Sequence, residues 1–161
     1  MSILSDIRDP LHDGRQSDTA LRIRKGAARL LRQFGFACLP ELTLASGRRA
    51  DLVAIGTKGD IWIIEIKSSI ADFKADQKWP EYRQHCDRFF FATTPEVPID
   101  IFPNNAGLML SDGYGAEILR EADEHKLAAA TRKAVSLRFA QSAALRLQDL
   151  MDPDSASPSH P

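Results

Sequence analysis

Apolar positions in the first third of the chain keep helical time. Ile23, Ala27, Leu30, Leu31 and Phe34 fall on one side of a helix, and Gly35 is a natural stop. The spacing predicts a helix over 18–34, with Arg22, Lys25, Arg29 and Arg32 as a basic stripe on another face. The period then shortens to that of strands. Strands are predicted at 37–45, where Pro40 suggests an edge or a bend, at 50–55, and at 61–67. "SGR" (46–48) and "TKG" (57–59) turn the chain between them, and Gly59 is free to take a positive φ. The third strand is apolar on both faces and is therefore expected at the sheet centre, covered on two sides.

The polar stretch 68–87 reads as mostly helical, but Pro80 disfavours helix at Trp79. A loop to Trp79 and a helix over 80–86 follow from that restriction. "RFFFAT" is a strand, "VPIDIFPNN" a loop, and "AGLMLSD" with "GAEILREA" a hairpin turning at 112–115. Residues 126–150, rich in Ala, Leu, Arg and Gln, carry the strongest helical signal. The order of helix, three-strand meander, helix, strands and C-terminal helix predicts an α/β fold, a mixed sheet flanked by helices. Residues 1–17 read as a flexible arm, 18–150 as one domain and 151–161 as a tail of disordered composition.

Composition changes this picture little. The 161 residues are 43% hydrophobic and 27% charged, with a formal net charge of -1. Any affinity for nucleic acid must therefore come from local patches. No apolar run is long enough to span a bilayer, and the start lacks a signal-peptide layout. Cys38 and Cys86 form no C-x-x-C pair, and the four histidines show no metal-ligand spacing. A reduced, cytoplasmic protein is expected.

The candidate chemistry lies in "RRADLVAIGTKGDIWIIEIKSS", residues 48–69. A three-residue loop at 57–59 places Gly56 opposite Asp60, and hence Asp51 opposite Glu65, roughly 5 Å apart at Cβ. Lys67 shares their face. Two carboxylates so close repel unless a cation or a proton lies between them. Mg²⁺ or Mn²⁺ suits such a site, with the Ile66 carbonyl as a further oxygen ligand. Lys67 can orient a water or hold a phosphate. The blander alternative has Asp51 bonded to backbone after a turn and Glu65 with Lys67 as a surface ion pair.

The stretch 51–67 resembles the PD-(D/E)XK nuclease signature, with "AD" for the usual Pro-Asp and "EIK" supplying Glu-x-Lys. More narrowly, "RRADLVAI", "IEIKSS" and "DFKADQKWPEYRQHCDRFFFA" are similar to the MmcB-like family of DNA repair endonucleases, over roughly residues 18–145. The resemblance implies a restriction-endonuclease-like fold, Asp51 and Glu65 as ligands of Mg²⁺ or Mn²⁺, and Lys67 as the group assisting the attacking water. It also implies a further acidic residue, for which Glu41 is the candidate. A turn at 46–48 would set Glu41 opposite Val53 and on the face of Asp51.

DNA contacts are expected from Arg48 and Arg49 beside the site, from Lys78, and from Arg22 and Lys25 on the first helix. Trp79 and Tyr82 are candidates for stacking on bases, or for covering the sheet edge. The expected activity is metal-dependent hydrolysis of DNA phosphodiester bonds in repair, with DNA and other repair proteins as partners and no membrane. A non-cleaving DNA- or protein-binding accessory factor is the alternative. An RNA-directed nuclease also stays open, because the sequence shows no reader of sugar identity.

Overall fold

The computed structural model describes residues 17–155. Of the arm read at 1–17 and the tail read at 151–161, residues 1–16 and 156–161 lie outside the described residues. A helix, α1 (Asp18–Gln33), is capped by the Ser17 hydroxyl, which accepts from Ala20 N–H at 3.1 Å. Strands β1 (Ala37–Thr43), β2 (Arg49–Ile55) and β3 (Ile61–Ile66) follow as an antiparallel meander. A short helix α2 (Ile70–Ala75) and a 3-10 turn (Trp79–His85) lead to β4 (Arg88–Thr93). Strands β5 (Gly107–Ser111) and β6 (Ala116–Arg120) and the long helix α3 (Ala129–Met151) complete the chain. A 3-10 turn, Pro153–Ser155, follows α3.

The six strands lie in one sheet in sequence order. β3–β4 and β4–β5 run parallel, and the other pairs are antiparallel. Two apolar layers sandwich this sheet. On one face Leu52, Ala54, Ile64, Phe90 and Met109 pack under Ile23, Ala27, Leu30 and Leu31 of α1. Gly26 permits the close approach, since a Cβ there would meet the Gly115 carbonyl oxygen at 2.5 Å. On the other face Val53, Ile63, Phe89, Phe91 and Leu108 are covered by Tyr82, Phe102 and Val135, with Phe73, Trp79 and Phe139 at the margin. β3 is thus buried on both sides, as its two apolar faces require.

Both meander turns use one device. Gly59 (φ +89°) and Gly47 (φ +86°) occupy the last loop position, with Gly59 N–H donating to Gly56 O and Gly47 N–H to Leu44 O. The second loop is 57–59, so the β2–β3 register is the expected one, with Leu52 opposite Ile64. The first loop is 45–47 rather than 46–48, because only glycine enters the left-handed region without strain. That moves the register by two residues. Leu39, not Glu41, faces Val53, and Glu41 comes level with Asp51.

Regular pairing lapses at that level. The β1–β2 ladder skips Glu41 and Asp51, and the β2–β3 ladder stops at Leu52–Ile64. Glu41 has a φ of 55°. Both strands change phase here. Leu39 and Leu42 share one core face although they lie three apart in sequence, as do Ala50 and Val53. The sheet opens locally where the chemistry-bearing residues lie.

Candidate active site

The gap in the ladder is filled by the carboxylates themselves. Asp51 N–H donates to Glu65 Oε1 at 2.9 Å, and Ile66 N–H donates to Asp51 Oδ2 at 2.8 Å. Backbone donors that would pair across strands instead hold two acid side chains in the sheet. This leaves the two carboxyl groups within hydrogen-bonding reach of each other. Glu65 is only 4% exposed.

Burial pushes the Glu65 carboxyl well above its usual range, and the neighbouring Asp51 adds to the rise. Burial also raises Asp51, although its contacts with Glu65, the Ile66 N–H and the Lys67 charge pull the other way. Two acids that resist losing their protons are the electrostatic mark of a site lacking positive charge.

Lys67 supplies one cation on the same face. Its backbone is pinned by N–H donation to Ala92 O at 2.9 Å and by the Thr93 hydroxyl on its carbonyl at 2.8 Å. Its ammonium, 6% exposed, meets Asp76 Oδ2 at 2.9 Å. Asp76 follows α2, whose start is capped by the Ser69 hydroxyl accepting from Asp72 N–H at 3.0 Å. Phe73 anchors α2 on Phe91 and Phe102, at ring distances of 5.5 and 5.0 Å. The Asp72 carboxylate accepts from Ser68 N–H at 3.1 Å and its charge reaches Asp51. The sequence shows Asp72 and Asp76 as a polar cluster; the fold puts both beside Lys67 and Asp51. Asp72 lies in α2 and Asp76 caps its end, where a loop up to Trp79 is expected from sequence, and the helix expected at 80–86 is instead the 3-10 turn Trp79–His85.

The other predicted residues divide. Glu41 stands level with Asp51 and near Arg49, at 3.9 Å from its guanidinium. Among the described residues, however, no three His, Cys, Asp or Glu side chains are grouped to hold a metal ion. Arg48 pairs with Glu81 and lies over the Tyr82 ring at 5.9 Å. Arg49 is about half exposed at the site's edge. Lys78 is exposed beside Asp76, to which its N–H donates at 3.1 Å.

Trp79 and Tyr82 are spent on packing. Trp79 stacks on Phe89 at 5.5 Å, Tyr82 is buried parallel to Phe89, and its hydroxyl donates to Arg49 O at 3.0 Å. The edge-covering role fits them, and a base has no face of Tyr82 to stack on. Arg22 and Lys25 ride on α1, across the sheet from the carboxylates. They do not converge on the site.

The carboxylate pair at a lapse in the β2–β3 ladder, with the lysine one step along, sits in a sequence that the family model "DNA repair protein MmcB-like" matches over residues 7–154. The chain belongs to the MmcB-like family. A solved structure, the SPO1766 protein of unknown function from Silicibacter pomeroyi, is similar to this chain at 45% identity. The match covers 90% of this chain and 99% of that one, with a TM-score of 0.86. No curated protein matches. No helix among the described residues of this family member is long and apolar enough to cross a membrane.

Proposed function

We infer that membership of the MmcB-like family points to a role in DNA repair. We propose that the chain is a metal-dependent endonuclease that hydrolyses DNA phosphodiester bonds. The observation that carries this reading is the buried Asp51–Glu65 pair, with raised affinity for protons and Lys67 on the same face.

The donor set fits a hard divalent cation. Each carboxylate has one oxygen tied to a backbone N–H, which fixes its direction. Buried acids that hold their protons would exchange them for Mg²⁺ or Mn²⁺. Asp51 and Glu65 would hold the ion, with the Ile66 carbonyl and Glu41 as the further oxygens nearest that level. When bound, the ion supplies Lewis acidity toward the phosphate and lowers the pKa of a bound water.

The chain's own groups do the rest. Lys67 presents a cation to the scissile phosphate and to the attacking water, and Asp76 sets where that ammonium sits. Arg48 and Arg49, at the open end of β2, would meet the DNA backbone. Arg22 and Lys25 could contact only DNA that reaches the far face of the sheet.

Purified protein with Mg²⁺ or Mn²⁺ should cut at least one of supercoiled, nicked, flapped or single-stranded DNA. Cleavage that survives Asp51→Ala or Lys67→Ala would remove those residues from the mechanism. A second reading, a non-cleaving DNA- or protein-binding accessory factor, draws support from one observation. The described acids do not gather as a threefold ligand set. Under that reading the Asp51→Ala variant restores survival after DNA damage as well as the wild type does. RNA in place of DNA is tested on the matching RNA substrates.

A further inference from the structure

Helix α1 has two sides of opposite character. Its inner side, with Ile23, Ala27, Leu30 and Leu31, is buried on the sheet. Its outer side carries Arg22, Lys25, Arg29 and Arg32, all exposed. The helix's one acid, Asp18, sits in its first turn. Among the described residues none of these four cations is paired with a carboxylate. A helix face that needs only solvation interleaves both signs as i, i+4 pairs. Four like charges over roughly 15 Å of helix repel one another, and a polyanion laid along them removes that repulsion.

The surface beside these cations is shaped. Lys25, Arg29 and Arg32 line a hollow of about 730 Å³ between α1 and the start of β1. Arg29 links it to the β5–β6 turn, donating from Nη1 to the Tyr114 carbonyl at 3.0 Å. Tyr114 is 81% exposed, more than any other large apolar residue described. Its turn is nevertheless firmly built. Asp112 Oδ1 accepts from Tyr114 N–H and Gly115 N–H, each at 2.9 Å, and Asp112 N–H donates to Gly115 O at 3.1 Å. Those contacts turn the Asp112 charge onto its own backbone. Gly113 takes the left-handed conformation (φ +92°), and Gly26 seats α1 directly against Gly115. A ring presented on so fixed a backbone loses little freedom when a base stacks on it.

We propose that α1 and the β5–β6 turn form a second nucleic-acid surface, separate from the carboxylate pair, that binds single-stranded DNA. The phosphates lie along Lys25, Arg29 and Arg32, and an unpaired base stacks on Tyr114. Duplex DNA keeps its base faces inside its own stack, so only an unpaired strand uses both parts of the surface. The choice of DNA over RNA rests on the DNA-repair reading above; the choice of an unpaired strand rests on Tyr114. The turn also stands at the Lys67 end of the sheet, since β3, β4 and β5 run parallel. A cavity lined by Arg22, Ser68, Thr94, Glu96, Asp112 and Gly113 joins it to Ser68, the residue after Lys67. Flapped or single-stranded DNA is therefore the substrate class that this surface selects for the proposed nuclease.

Fluorescence anisotropy of a labelled single strand and of its duplex, both in chelator, tests the proposal. The wild type should bind the single strand more tightly. Tyr114→Ala should weaken single-strand binding by ~10-fold and leave duplex binding as it was, and Tyr114→Phe should keep both. Lys25→Gln and Arg32→Gln should each flatten the slope of log affinity against log salt by ~0.7, the share of one phosphate on a single strand. All three positions are exposed, so melting temperatures should hold. An equal loss on duplex with Tyr114→Ala, or a salt slope unmoved by both glutamines, overturns the proposal. So does poly-glutamate that displaces the labelled strand as well as unlabelled strand does, because the surface then reads an acidic protein.

Chelator keeps cleavage out of the measurement. Tyr114-dependent strand binding by a chain that cuts no substrate supports this surface and counts against the nuclease reading alone. Cleavage without such binding overturns this surface alone.

Discussion

Two buried acid sites in this sheet have opposite electrostatics. Asp87, just before β4, is completely answered. It accepts from Ile61 N–H at 2.8 Å, Leu127 N–H at 2.9 Å and both Arg132 terminal nitrogens at 2.6 and 2.7 Å. Burial alone would raise its pKa, yet Arg132 and the two N–H groups together hold it below the usual carboxylate range. At the other end of β3, Asp51 and Glu65 have one backbone N–H each and chiefly each other, and both are raised. Buried ions are tolerable when paired and hydrogen-bonded. Asp87 ties β3, β4 and the approach to α3 into one unit. The pair at 51 and 65 ties only β2 to β3, by one N–H apiece, and under the proposed function its raised proton affinity is readiness for a cation.

The sharpest test sets activity against stability. Asp51→Ala should lower DNA cleavage roughly a thousandfold, the scale of several kcal/mol of charge stabilisation. Its thermal midpoint should hold or rise. Asp87→Asn should do the reverse. Losing the charge that Arg132 pairs with should cost about 3 kcal/mol, or about 6–12 °C in the midpoint for a domain of this size. Cleavage by the folded fraction should stay normal. Asp87 has a depressed pKa, so its stabilising effect is present above the unfolded carboxylate range and fades as pH falls through the folded value. The gap between wild type and Asp87→Asn in a pH series of melting curves should therefore close in acid. Cleavage lost with Asp87→Asn, or stability lost with Asp51→Ala, would erase the contrast.

Asp76→Asn should act more gently. Lys67 keeps its place in β3 but loses the carboxylate that fixes its ammonium. A roughly tenfold slower cleavage is expected. An unchanged rate would make Asp76 a structural partner of Lys67 only.

The two sites were not equally legible in sequence. The Asp51–Glu65 register could be read because a Gly-ended three-residue loop at 57–59 fixes the pairing that follows. The same logic applied at Gly47 would have placed the first loop at 45–47 and brought Glu41 level with Asp51. The expected turn put the glycine in the middle of the loop, where no positive φ is needed. The helix α2 escaped notice because it is a six-residue element with no buried residue. Trp79 and Tyr82 stay open in sequence between stacking on bases and covering the sheet edge, because nothing there shows that Phe89 lies beneath them. Asp87 had no signal at all. Its partners come from residues 61, 127 and 132, and no local spacing connects them.

The smallest expected effect probes the carboxylate pair without its ion. In chelator, a Glu65 carboxyl with a raised pKa keeps its proton in the folded chain after the unfolded chain has lost it. Folding then takes up a proton, so this group's stabilising effect is present below the unfolded pKa and is lost as pH rises through the folded value. Glu65→Gln mimics the protonated acid at every pH. It should match the wild type in mild acid and be more stable above neutrality. Saturating Mg²⁺ should then stabilise the wild type and leave Glu65→Gln nearly unmoved, since a ligand stabilises only the state that binds it. Melting curves with and without chelator measure both. A Glu65→Gln variant that loses stability as pH rises would mean that Glu65 is already satisfied like Asp87, and the pair would be a structural feature of the sheet.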